Sequence, residues 1–317
     1  MTKLYIKTYL ITILLLGLTT KCLFAQEKKQ PDSIALSPFF PINAGYALDT
    51  NAVKDIKKIS VDIEIKTDIP EGYHYCISAL NSGFNGKLFH TGIATHTNGI
   101  PVKSSNAKDT VFGQGAVFTR WMEGEMNVIK TTGFTETRSA AYVSIRNKAI
   151  WNKGRYRITL FKSGYTKGKP IPGQNLKYND KYPLTEYEHS WITMTVENLD
   201  TRQKWLIGSM AFPGKRIDMT PRIEIFLEQY GPAINYGAKN RVLDKPTIYY
   251  KDIPKVQLTI GNVAIDGKKQ KLERVALRVR KPEINIVKEI LNADKNEIWF
   301  ETGELQEPLS QLKESKP

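Results

Sequence analysis

Apolar and polar residues alternate with a period of two along most of this chain. Ile59, Val61, Ile63 and Ile65 are separated by Ser60, Asp62 and Glu64 and followed by Lys66. In an extended backbone this puts one set of side chains in a core and the other in water. The pattern recurs at Tyr156, Ile158 and Leu160, at Ile192, Met194 and Val196, and at Ile223, Ile225 and Leu227. It appears again at Val256, Leu258 and Ile260, and at Val275, Leu277 and Val279. The stretch from Trp191 to Gly231 holds two such runs around the polar turn Asn198-Leu199-Asp200-Thr201, with a third run soon after. Short alternating runs punctuated by Gly, Pro, Asn and Asp predict stacked antiparallel sheets, an all-β sandwich of jelly-roll or lectin-like kind, rather than βαβ units. Only Ile284, Val287 and Leu291 fall at helical spacing, which predicts one short helix over 284–291.

The first 25 residues read as an export signal. Lys3 and Lys7 precede an apolar run over 9–18 that is too short to cross a bilayer comfortably, and Ala25 offers a small residue before Gln26. Cleavage after Ala25 is expected. Lipidation at Cys22 is the alternative, and the charge of Lys21 beside it speaks against that. Removal of the leader leaves 292 of the 317 residues, with Cys76 as the remaining cysteine. Without an intramolecular disulfide, an exported chain relies on its core alone. Cys76 sits in the aromatic run Tyr73-His74-Tyr75-Cys76-Ile77 and reads as a small buried hydrophobe rather than a nucleophile. Nothing after Ala25 is apolar and long enough to be a transmembrane helix, so the expected location is the periplasm, the outer surface or the exterior. In this reading 26–37 is a polar leader and 38–231 the sandwich. The strands of 232–303 complete that sandwich or form a small appended sheet, and 304–317 is a charged tail without fixed structure.

Loss of the leader's three lysines takes the formal net charge from +14 to +11. That balance favours anionic partners, acidic or sulfated polysaccharide among them. Lys and Arg are dispersed rather than gathered into one stripe, so nucleic acid is not expected. Two polar connections, 98–115 and 162–189, are longer than sandwich turns require. The second carries Tyr165, Tyr178, Tyr182 and Tyr187. These rings either stack on sugars or pin the loop to its own scaffold.

Catalytic signatures are incomplete. His74, His90, His96 and His189 do not cluster at ligand spacing, neither HExxH nor a paired-cysteine site is present, and no GxSxG elbow occurs. The expectation is no cofactor. Calcium stays open, because backbone and Asn or Asp oxygens from separate loops leave little trace in a sequence. Asp62 with Glu64, Glu123 with Glu125, and Glu224 with Glu228 share strand faces as glycosidase carboxylates do. The first pair reads as a solvated face. The third flanks Phe226 on a strand with apolar groups on both sides, where Glu228 calls for a partner such as Arg120, Arg138 or Arg222.

Several segments occur in a suggestive order: Thr91-Gly92-Ile93-Ala94-Thr95-His96-Thr97-Asn98-Gly99, Val117-Phe118-Thr119-Arg120-Trp121, Ile150 through Ile158, Lys204-Trp205-Leu206-Ile207, and Ile225-Phe226-Leu227-Glu228. Over roughly Phe89 to Tyr250 this order resembles a family of secreted bacterial proteins catalogued as a domain of unknown function. Members of that family are often attached to carbohydrate-binding-like modules or encoded near polysaccharide-handling genes. The resemblance implies a β-sandwich and, by analogy, a glycan partner. It supplies no catalytic residues. The chain departs from the family pattern at Met122-Glu123, where an acid commonly follows the tryptophan directly, and at 133–138, which holds one glycine.

The function expected from these residues is an exported, non-catalytic glycan-binding or glycan-associated sandwich. Its candidate ligand-binding residues are Trp121, Arg120, Glu224, Glu228, His96 and Tyr230, with Trp121 and loop tyrosines stacking and the charged groups hydrogen bonding. A cell-envelope structural or adaptor protein without a sugar site is one alternative. A polysaccharide hydrolase or lyase using paired carboxylates is the other.

Overall fold

In the computed structural model the described residues are 33–35, 39–69, 73–95, 97, 113–121, 128–129, 134–138, 142–167, 188–232, 247–249, 253–279 and 287–303. Every regular element among them is a strand, and every paired neighbour runs antiparallel. Sheet I takes the order β18 (Val287–Asn292), β19 (Glu297–Thr302), β15 (Val256–Ile265), β3 (Lys58–Ile65), β10 (Gly154–Thr166), β11 (His189–Asn198), β12 (Lys204–Pro213), β7 (Val128–Ile129), with β16 (Lys268–Lys269) beside β15. Sheet II takes the order β17 (Glu273–Val279), β2 (Phe39–Ala47), β13 (Arg222–Pro232), β4 (Tyr73–Phe84), β5 (Lys87–Ala94), β6 (Gly115–Trp121), β9 (Tyr142–Lys148), β8 (Phe134–Arg138). A separate two-stranded ribbon joins β1 (Ser33–Ala35) to β14 (Thr247–Tyr249). Among the described residues no helix is long and apolar enough to cross a membrane.

The two sheets form the expected sandwich, and its core is made by the alternating residues. Ile59, Val61, Ile63 and Ile65 of β3 bury completely, as do Ile223, Ile225 and Leu227 of β13 on the facing sheet. Each such side chain contributes about 1.5–3 kcal/mol of transfer free energy, which stands in for the absent disulfide. Tight turns fix the pairing. Asn85-Gly86 links β4 to β5 with φ of 48° and 78°, and Asp266-Gly267 links β15 to β16 with φ of 48° and 83°. Positive φ at both central positions gives the turn a twist that matches the flanking strands. Asn198 Oδ1 accepts from the amides of Asp200 and Thr201 at 2.9 Å and closes the β11–β12 connection.

Strands β15 to β19 complete both sheets. β15 pairs with β3 in the middle of sheet I, and β17 pairs with β2 at the edge of sheet II. The helix expected over 284–291 is corrected: 287–292 is strand β18, paired along its length with β19. Glu289 turns inward and Leu291 packs against the core, while Ile290 is 39% exposed. An acid at an inward position and an isoleucine at an outward one broke the period-two pattern and left a false helical spacing.

That inward acid ties the sheets together. Tyr46 of β2 donates its hydroxyl to Glu289 Oε1 at 2.6 Å, and Arg274 Nη2 of β17 stands 3.5 Å from Oε2. Burial raises the Glu289 pKa above the ordinary carboxylate value, with the Tyr46 hydrogen bond and the Arg274 charge opposing. A raised acid binds its proton more tightly in the folded chain, so its contribution to stability falls as pH climbs past the unfolded carboxylate value. Glu289→Gln removes this dependence. The variant's urea midpoint relative to wild type should therefore rise as pH climbs above the unfolded carboxylate value of about 4. A midpoint difference that is flat or slopes the other way overturns the assignment.

Candidate functional site

On β13 the residues opposite the core are Glu224, Phe226 and Glu228, all half-buried. Phe226 pairs across to Asn43 of β2 and Ser78 of β4, so it lies in the middle of the outer face of sheet II. The Phe226 ring centroid is 6.0 Å from that of His90 on β5, and His90 is 5.6 Å from Trp121 at the end of β6. Trp121 is 38% exposed, and its Nε1–H donates to His90 Nδ1 at 3.0 Å. This hydrogen bond fixes the tautomer: the imidazole accepts at Nδ1 and carries its proton on Nε2. Burial, aided by the Arg146 cation, lowers the His90 pKa to about 3. His90 is therefore neutral at physiological pH and acts as a fixed donor and acceptor rather than an acid–base group.

Arg146 of β9 reaches the same face. Its Nε donates to Ser144 Oγ at 3.4 Å, and its charge is felt at both His90 and Cys76. Cys76 pairs with Glu228 across β4 and β13 and is buried. Burial first, then the Glu228 carboxylate, pushes its thiol well above the ordinary value, against the pull of Arg146. A thiol held protonated is a poor nucleophile. Glu224 meets Arg222 Nη2 at 2.9 Å. Gly45 makes room for that guanidinium, since a Cβ there would come within 2.6 Å of Arg222 Nη2.

The structure separates the sequence-predicted residues into three groups. Trp121, Glu224 and Glu228 lie on the outer face of sheet II. Arg120 does not: as Trp121's neighbour on β6 it points the other way, is 1% exposed between the sheets, donates from Nη1 to the Ala211 carbonyl and holds its Cζ 5.3 Å from the Phe212 ring centroid. It can neither join a ligand beside Trp121 nor pair with Glu228. His96 lies outside the described residues, as do Tyr178, Tyr182, Tyr187, Glu123, Glu125 and most of the two long connections. Tyr230 has a described backbone in β13 but not a described side chain. Arg138 in β8 is in the same position.

Glu224 and Glu228 lie four residues apart on one face of β13, and Glu224 is held by Arg222. Asp62 is committed elsewhere: Arg157 grips it at 2.6 Å and 2.8 Å, and Asn262 Nδ2 adds a third contact at 3.2 Å. Glu64 is exposed and 3.6 Å from Lys66. Among the described residues no three His, Cys, Asp or Glu side chains converge on a common point for a metal ion.

No protein-family model matches this chain, and no curated protein matches it either. Sequence reasoning missed His90 and Arg146, the two groups that orient the tryptophan and set the charge of the face. Neither residue type stands out at its position. They join Trp121 only through the pairing of β5 with β6 and of β6 with β9.

Proposed function

We propose that the protein is an exported, non-catalytic glycan-binding sandwich that acts in the periplasm, at the outer surface or outside the cell, with its contact surface on the outer face of sheet II. The observation that carries this reading is the Trp121 indole, partly exposed and oriented by His90, whose ring also meets Phe226, with Glu224, Glu228 and Arg146 farther along the same sheet face. A pyranose presents an apolar C–H face and a rim of hydroxyls. An oriented aromatic ring matches the first, and charged or polar side chains elsewhere on the face match the second. The positive balance of the chain supports an anionic polysaccharide over a neutral one. A neutral His90 and a protonated thiol favour binding over turnover.

Affinity electrophoresis against a panel of polysaccharides tests the reading. Wild type is expected to be retarded by at least one of them, and Trp121→Ala should weaken that retention roughly tenfold, the loss of one stacking platform and its contacts. The thermal midpoint should stay near wild type, because the ring is partly in solvent. Retention by no polysaccharide overturns the proposal. So does release of reducing ends that Glu228→Gln abolishes in a folded protein, which would make the chain a hydrolase.

A further inference from the structure

The outer face of sheet I carries a second candidate site, on the opposite side of the sandwich from Trp121. Side by side across β3, β15, β19 and β18 stand Glu64, Thr259, Trp299 and Ile290. The small Thr259 leaves a trough beside the Trp299 ring, and at one end Glu297 lies over Gly261, where a Cβ would come within 2.8 Å of Glu297 Cγ. The trough has a volume of about 310 Å³, the lower end of small-ligand sites.

Its lining combines three features that fit one kind of ligand. Trp299 is half-buried and Ile290 is exposed, which gives an apolar wall. Lys66, Lys288 and Lys295 line the trough against the single carboxylate of Glu297. Lys66 is already 3.6 Å from Glu64, whereas among the described residues no carboxylate lies within ion-pair distance of Lys288 or Lys295. Lys288 Nζ stands 5.7 Å from the Trp299 ring centroid, at the margin of the platform. The third feature is Thr259 itself: it is 7% exposed, and its Oγ1 is buried with no hydrogen-bond partner. A buried hydroxyl without a partner costs stability, which a ligand oxygen would offset once rotation about χ1 brings Oγ1 from its covered position into the trough.

We infer that this trough binds a sugar ring bearing an anionic substituent, with the ring against Trp299, its carboxylate or sulfate met by Lys288 and Lys295, and a ring oxygen paired with the Thr259 hydroxyl. Carboxylate and sulfate share the recognising chemistry. The inference rests on sheet I alone and stands or falls separately from the Trp121 face.

Calorimetric titration of the full chain with oligogalacturonate, a sulfated oligosaccharide and a neutral oligosaccharide of equal length tests it. Wild type should bind one or both anionic ligands at least about tenfold more tightly than the neutral one, and the preferred ligand identifies the substituent. The double variant Lys288→Ala with Lys295→Ala should lose roughly tenfold toward the anionic ligand, as expected for two charged contacts that a ligand desolvates in part. Removing the same charge at Lys268 and Lys269 on the β16 hairpin should change little. Thr259→Val separates ligand from scaffold: affinity falls several-fold while the thermal midpoint holds or rises, because the isosteric methyl removes an unpaired hydroxyl. Trp121→Ala should leave this binding intact. The inference is overturned if wild type shows no anionic preference, if the two lysine pairs behave alike, or if Trp121→Ala alone removes the binding.

Discussion

Replacing Trp151 by alanine should cost about 3–5 kcal/mol of unfolding free energy, as large-to-small changes at fully packed aromatic sites do. Trp151 is 1% exposed and lies where the chain leaves β9 of sheet II to enter β10 of sheet I. Its Nε1–H is shared at 3.2 Å between the carbonyls of Ala94 and Gly115, the paired ends of β5 and β6. The indole therefore closes one end of the sandwich and holds two strand ends at once. Crowding there leaves no slack: a Cβ on Gly115 would lie 2.4 Å from the Asn147 carbonyl and 2.6 Å from Thr97 Oγ1. Truncation consequently leaves a cavity rather than a collapse, and a loss of this size is a large share of the roughly 5–15 kcal/mol that stabilises a typical domain. Trp151→Phe keeps much of the volume but takes the indole donor away from both carbonyls, so it should cost about 1–3 kcal/mol. Urea unfolding midpoints at fixed m measure both. A Trp151→Ala loss under about 1 kcal/mol would mean that this end is free to relax.

Alternation made most of the fold legible because burial on a sheet imposes it directly. The runs at 59–65, 156–160, 192–196, 223–227 and 256–260 all lie in core-facing strands with the expected side inward. The run at Val275 and Leu277 lies in strand β17 as its pattern suggests, yet both residues are exposed, at 52% and 43%. β17 is an edge strand whose pairing with β2 shifts register between Arg274 and Ala276, and periodicity alone does not tell a core face from an edge. Strand order was hidden for a related reason. β3 sits between β10 and β15, and β13 between β2 and β4, so the pairs are far apart in sequence and no local signal encodes them. Two local signals carry pairing directly: Asn85-Gly86 and Asp266-Gly267 are strong two-residue hairpin turns.

The candidate site divides along the same line. Glu224, Phe226 and Glu228 were placed on one face because i, i+2 and i+4 on a strand share a side. The same rule forbids Arg120 and Trp121, as strand neighbours, from acting together. His90, Arg146 and the Thr259–Trp299 trough come from cross-strand register, which a single sequence does not supply.

Phe212→Ala should also cost about 3–5 kcal/mol, through a different part of the core. Phe212 is fully buried on β12 of sheet I and meets three rings of sheet II. Phe84 stands edge-on at 5.1 Å, Phe89 edge-on at 6.1 Å, and Phe118 lies nearly parallel at 6.1 Å. Phe84 and Phe89 themselves stack at 4.3 Å. Edge and offset contacts of this kind add about 0.5–1.5 kcal/mol each beyond area burial. The ring also faces the buried Arg120 guanidinium at 5.3 Å, and a desolvated cation over an aromatic face gains on the order of 2 kcal/mol. Removing the ring leaves that cation beside a void, so the loss should sit at the upper end of the range. Phe212→Leu, which restores most of the volume without the π face, should recover about half of it. A double-mutant cycle with Arg120→Met isolates the cation: the two losses should be sub-additive by about 1 kcal/mol or more. Strict additivity would mean that Arg120 is held by its hydrogen bonds alone and that Phe212 contributes volume without charge recognition.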